Sequence, residues 1–260
     1  MISPAQGLRI AIAQIEMHWT LEENLDAIRK AMHRAHAEGA SLCAFSELAV
    51  TGAHRRIVEF AKPELVGPAV DEVKRLSARL RMGTALGAPT FDRSGLRYIT
   101  HHLINEDGEV AASVPKRGLT DPEATFFARG SSRPSGVVQG LRTTAVICRE
   151  VTDHDQIGKD VPKGTVDLIF VPGSLRQDPD KPKSDPPPYV NDIQNIAVAT
   201  GAYMVQTNWP NTLNRPEEGV DAGQSCVVSP SGALLFRLPK AASGIGVFNL
   251  GETSFAWHPQ

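Results

Sequence analysis

Short runs in which almost every position is apolar alternate along this chain with longer stretches whose apolar residues recur every three or four positions. The first kind reads as strands buried on both faces, the second as helices with one buried stripe. "LRIAIAQI" (8–15) is the first such strand. "LEENLDAIRKAMHRAHAEG" (21–39) follows as a helix, with Leu25, Ile28, Met32 and Ala35 on one side and Gly39 as its stop. "SLCAFSEL" (41–48) predicts a second strand, and "AVDEVKRLSARLRM" (69–82) a second helix. "GTALGAPTF" (83–91), "LRYITHHLIN" (96–105) and "EVAASVP" (109–115) read as strands, the last two forming a hairpin across "EDG". The second half repeats the rhythm: strands at "TTAVIC" (143–148) and "DLIFVPG" (167–173), a helix at "VNDIQNIAVATG" (190–201), then strands at "AYMVQTN" (202–208), "SCVVSPSGALLFRL" (225–238, bending at "SPSG") and, last, "IGVFNL" (245–250). The alternation predicts an α/β fold. "RQDPDKPKSDPPP" (176–188), dense in proline and charge, reads as an exposed loop.

Composition narrows what such a fold can do. A chain of 260 residues can bury one large core, and no shift in composition marks a boundary, so residues 1–260 are expected to form a single domain. The net charge of -2 offers no basic footprint for nucleic acid. No apolar run approaches the roughly 18 residues that span a bilayer, and the N-terminus lacks the pattern of a secretory signal. Cys43, Cys148 and Cys226 are widely spaced, without a CxxC pair. That speaks against a disulfide framework or a zinc site and fits a reducing cytoplasm, the expected location.

Candidate chemistry collects at the ends of the predicted strands, where sites form in open α/β sheets. Glu47 follows "LCAFS", Lys116 follows "EVAASVP", and Cys148 ends "TTAVIC". A base, a cation and a thiol at three strand ends are the parts of a nucleophilic hydrolase. Each has an ordinary reading too: an exposed acid, a solvated basic pair with Arg117, a small core hydrophobe. Among the eight histidines, His101 and His102 alternate across a strand and cannot share a ligand, His33 and His36 lie on a helix surface, and His54 and His154 sit in loops as possible bases. No HxH or HExxH spacing supports a metal. Cys43 and Cys226 read as core residues.

The ordered set "FSELAVTG" with Glu47, "PKRGL" with Lys116 and "AVICRE" with Cys148 resembles the nitrilase superfamily of carbon–nitrogen hydrolases. "AIAQ", "DPEATFFARG", "VQTNWP" and "GQSCVVSPSG" support the resemblance from "RIAIAQ" to about Leu250. It implies a four-layer αββα sandwich, no metal or organic cofactor, and a Glu–Lys–Cys catalytic set whose functional groups meet within hydrogen-bond reach. Glu47 is then the general base, Cys148 the nucleophile, and Lys116 the cation for thiolate and oxyanion, aided by the backbone N–H of Arg149. A lysine-stabilised thiolate predicts rapid labelling by iodoacetamide at neutral pH. Glu123, in "DPEATFF", is the candidate second glutamate, its other reading being a helix cap or exposed acid. Arg149, Asn208 and Trp209 are candidate substrate-binding residues.

The resemblance also implies a small-molecule amide as substrate, cleaved through a thioester with release of ammonia or an amine, and a two-fold homodimer or larger homo-oligomer. Relatives acting on nitriles often carry Trp-Glu after the cysteine. Arg149-Glu150 here favours amides. A nitrilase or N-carbamoyl amide hydrolase is the alternative within catalysis. Outside it stands a catalytically silent interaction protein that keeps the fold.

Overall fold

The computed structural model describes residues 7–177 and 182–260. Two mixed sheets stack face to face, with helices covering their outer surfaces. The first contains β1 (Arg9–Gln14), β2 (Leu42–Ala44), β3 (Gly83–Phe91), β4 (Arg97–Ile104), β5 (Val110–Pro115), β12 (Gly244–Asn249) and β13 (Ala256–Pro259), in the order β13-β12-β1-β2-β3-β4-β5. The second contains β6 (Gly136–Val138), β7 (Leu141–Ala145), β8 (Leu168–Gly173), β9 (Tyr203–Asn208), β10 (Cys226–Val228) and β11 (Leu234–Arg237), in the order β11-β10-β9-β8-β7-β6. Helices α1 (Leu21–Ala37) and α3 (Pro63–Leu80) cover the first sheet, and α5 (His154–Asp160) and α6 (Pro188–Thr200) the second. Two single-turn helices, α2 (Ile57–Phe60) and α4 (Asp121–Ala124), lie in the connections.

The unbroken apolar runs have their cause in this layering. In β1, Ile10 and Ile12 enter the core between the sheets, while Ala11 and Ala13 face the helices. In β8, Leu168 and Phe170 point to the central core and Ile169 and Val171 to the outer one. A strand covered on both faces has no polar side to alternate with. The layers are α, β, β, α.

Several boundaries differ from expectation. Helix α3 begins at Pro63, well before residue 69, and runs through Pro68. Proline suits the first helical position, and the second one forgoes a single bond to the Glu64 carbonyl without ending the helix. The strand expected over 41–48 stops at Ala44, because residues 45–50 leave the sheet and cross over β3. A further edge strand, β13, follows β12, so 245–250 is not the last. Residues 178–181 of the expected 176–188 loop lie outside the described residues. Among the described residues, no helix is long and apolar enough to cross a membrane.

Candidate active site

The crossing segment carries Glu47. Gly87 permits it: a Cβ there would lie 2.4 Å from the Leu48 nitrogen and 2.5 Å from the Ser46 carbonyl oxygen. Only a glycine allows backbone to pass so close. Phe45 N–H donates to Ala85 and Val50 N–H to Gly87, pinning the segment to β3. The second sheet holds it from the other side, with Thr207 Oγ1 donating to the Phe45 carbonyl (2.8 Å) and Trp209 Nε1 to that of Glu47 (3.0 Å). Leu48, next in the chain, has φ 54°. A branched residue in the left-handed region costs roughly 1–3 kcal/mol and stays there only where surroundings over-determine it.

Lys116 leaves the end of β5 fully buried, and its Nζ donates to Glu47 Oε1 and Glu123 Oε1, each at 2.7 Å. Glu123 sits in α4, where the Thr120 N–H donates to its Oε2 at 2.8 Å and Thr120 Oγ1 completes a capping box. Both readings of Glu123 hold together: one oxygen caps the helix, the other meets the lysine.

Cys148 follows β7 at φ 52° and opens a short 3₁₀ turn, Cys148–Thr152. Its thiol meets the Glu47 carboxylate and the backbone of Ser174, and the residue is partly exposed. Gly173, ending β8, lies against it; a Cβ there would be 3.2 Å from Cys148 Cα. The loop after Lys116 is tied to the cysteine turn by buried Glu150, which accepts from the N–H groups of Arg117, Gly118 (3.0 Å) and Ile147 (2.7 Å) and from the Arg133 guanidinium (2.9 Å).

Charge balance sets the protonation states. Burial raises the Glu47 carboxyl, against the pull of Lys116. Burial opposes the Lys116 ammonium, yet the carboxylates, Glu47 foremost and Glu123 with it, outweigh it and the net direction is up. The Cys148 thiol is pushed up to about 12, by burial first and the Glu47 carboxylate second. One cation already serves two carboxylates, so a thiolate would add a second uncompensated negative charge. Burial and the Glu47 carboxylate thus favour the neutral thiol at rest, with Glu47 placed to take its proton.

The remaining candidates lie behind this cluster. Asn208 is fully buried: its side chain accepts from Leu175 N–H (2.8 Å) and donates to the carbonyls of Leu175 (2.7 Å) and Gly223 (2.8 Å). Its amide is occupied by backbone, and what it orders is the loop beside the thiol. Trp209 is buried, with its one donor on Glu47. The Arg149 guanidinium is held by the Gly118 carbonyl and Asp153. None of these three side chains is among the residues that line the cleft. His154 pairs with Asp192 on the outer layer. His54 borders the cleft but is buried, with Nδ1 accepting from the Arg56 N–H. Cys43 and Cys226 are fully buried. Sequence reasoning missed Arg133 and the role of Glu150; an arginine in "SSRPSG" carries no periodic signal, whereas glycine inside "GTALGAPTF" does flag a close approach.

An open cleft of about 380 Å³ leads to the carboxylates of Glu47 and Glu123.

Residues 9–252 match the model of a family described as carbon-nitrogen hydrolase, and the chain belongs to that family. It is a carbon–nitrogen hydrolase of the nitrilase superfamily. Its fold is similar to that of an amidase from Nesterenkonia sp., at 25% identity and a TM-score of 0.78 over 95% of this chain and 91% of that one. A mutant of the amidase from Nesterenkonia sp. AN1, with the acetamide moiety of fluoroacetamide covalently added at its active-site cysteine, matches at 25% identity and 0.80, over 96% and 92%. Another, showing the Michael addition of acrylamide at that cysteine, matches at 26% and 0.79, over 94% and 93%. No curated protein sequence matches the chain.

Proposed function

We propose that this protein hydrolyses a small carboxamide through a Cys148 thioester. The observation that carries the reading is Lys116 Nζ at 2.7 Å from both Glu47 and Glu123, whose carboxylates line a cleft, with the Cys148 thiol beside Glu47. Glu47 accepts the thiol proton as Sγ attacks the carbonyl carbon, so no free thiolate accumulates. The carbonyl oxygen takes the electron pair and is stabilised by the Lys116 ammonium and the Arg149 N–H. The oxyanion collapses, the C–N bond breaks, and Glu47 passes the proton to the leaving nitrogen, which departs as ammonia or an amine. Water then gives a proton to Glu47 and its oxygen attacks the thioester. The thiol leaves with the proton returned by Glu47, and a carboxylic acid is released. Glu123 keeps the ammonium placed, and Asn208 and Trp209 hold the loop and carbonyl that orient thiol and base. The covalent adducts of the Nesterenkonia amidase at its active-site cysteine support a cysteine nucleophile in this fold.

The test is ammonia release over amides, ω-amido acids, carbamoyl amino acids and nitriles, with Cys148→Ala as control. Release from amides that vanishes in Cys148→Ala, with the circular-dichroism spectrum unchanged, is expected. Turnover of nitriles alone overturns the substrate class; normal turnover in Cys148→Ala overturns the mechanism. A cytoplasmic homodimer is the accompanying expectation, and a monomeric mass by light scattering counts against it.

A further inference from the structure

Two neighbouring recesses differ in chemistry, one lined by Glu47 and Glu123, the other by Ser174, whose backbone meets the Cys148 thiol. The cleft over Glu47 and Glu123 is walled by Leu48, Ala53, Ile57, Val58, Phe126 and Phe127. The Arg97 guanidinium lies over the Phe126 ring at 4.7 Å, and that of Arg55, at the rim, lies 5.4 Å from the Trp19 ring centre. A smaller recess of about 190 Å³, sharing Ala53 and Asn214 with the first, is polar and holds Ser174, Arg176, Arg215 and Glu218.

A substrate acyl group extending from the thiol can enter one or the other. In the polar recess the anion position is already filled, since Glu218 pairs with Arg176 at 3.2 Å and Arg215 at 2.9 Å. A substrate carboxylate would have to displace it. At the base of the cleft Glu47 and Glu123 share the one ammonium of Lys116, an excess of negative charge that repels a further anion. In the cleft, by contrast, the walls are mostly apolar, with His54, Arg55, Thr125 and Asn214 interspersed, and Val58 is 52% exposed at the mouth, free to be covered by a ligand. The volume is that of roughly a dozen waters, far more than acetamide needs.

The geometry points to this cleft as an acyl subsite for uncharged, apolar groups: the preferred substrates are primary amides of branched aliphatic or aromatic acids, not ω-amido acids. This rests on the amide-hydrolase reading above and adds the substrate class to it. Burying one methylene contributes about fourfold in affinity.

The test measures kcat/KM by ammonia release for acetamide, isovaleramide, phenylacetamide and succinamic acid, in the wild type and in Val58→Asp and Val58→Lys. We expect isovaleramide and phenylacetamide to exceed acetamide by tenfold or more and succinamic acid to be the poorest. Either charged variant should reduce the isovaleramide-to-acetamide ratio at least tenfold, because the acyl chain then meets a hydrated charge at the mouth. Val58 is exposed, so folding is not at stake. Equal rates for acetamide and isovaleramide, or ratios unchanged in both variants, overturn the subsite while leaving the amidase reading intact. Preference for succinamic acid overturns it in favour of the polar recess. Ammonia from none of the four amides overturns the amidase reading and the subsite with it.

Discussion

Two largely buried clusters of cations and carboxylates meet at residues 116–118. In one, Lys116 faces Glu47 and Glu123; in the other, Arg133 and Arg117 face Glu150 and Asp160. The second is balanced, two cations to two carboxylates, and Glu150 is further saturated by three backbone N–H groups. Its burial would raise Glu150, but Arg133 and those N–H donors hold it below the usual carboxylate range. The first has one cation for two carboxylates and an opening above it, and there burial wins and Glu47 goes up. A balanced, closed network fixes a loop. An unbalanced one under a cleft keeps a base able to take a proton.

The largest effect should come from removing that base. Glu47→Gln keeps the shape and the lysine contact but cannot accept a proton, and turnover should fall by about 10³ or more while the unfolding midpoint changes little. Steady-state ammonia release checks it; a fall under tenfold would move the base elsewhere. Next comes the balanced cluster. Arg133→Ala leaves Glu150 buried without its cation and should destabilise by about 3–5 kcal/mol in denaturant titration. Equal stability of this variant and wild type would mean that the backbone donors suffice.

The contrast extends to pH. In the proposed mechanism Glu47 acts as a carboxylate, and its pKa is raised above the ordinary 4.5, so kcat/KM should rise with pH through a midpoint above that value. Because the thiol is pushed up to about 12 and Lys116 goes up from 10.5, neither gives an alkaline limb near neutrality. Glu150 has the opposite sign: its lowered pKa contributes stability above the unfolded value of about 4.3, lost as pH falls through the folded one. Iodoacetamide labelling of Cys148 at neutral pH should be slow even in active enzyme, so the rapid labelling expected from the sequence does not separate an active from a silent protein. Fast labelling would restore the resting thiolate. The smallest effect is expected for Trp209→Phe, which keeps the packing and removes one donor to the Glu47 carbonyl. A net hydrogen bond contributes about 0.5–1.5 kcal/mol, so kcat should drop up to about tenfold with KM unchanged. A change in KM alone would make Trp209 a substrate contact after all.

How legible was this in advance? The apolar runs of β1, β8 and β9 were unmistakable because strands covered on both faces leave no polar position. Glu47, Lys116 and Cys148 stood out as reactive types placed after such runs. Glu123 could be read two ways, and both are present in the geometry. Asn208 and Trp209 looked like ligands for substrate because polar and aromatic residues at a strand end commonly are. Their side chains bond carbonyls fifteen and thirty-three positions away for Asn208, and a hundred and sixty-two for Trp209. Sequence spacing carries no trace of such bonds.

What the chain determined by itself is therefore local and periodic: which runs are buried, where α1 and α6 stop at glycine, and which strand ends carry an acid, a cation and a thiol. Tertiary structure alone decided the rest. It brought Glu47 and Lys116 of one sheet to Cys148 of the other and left one ammonium between two carboxylates. The reason is physical: a pKa and a hydrogen bond depend on distances in space and on exclusion of water, and both are settled only when the sheets close on each other.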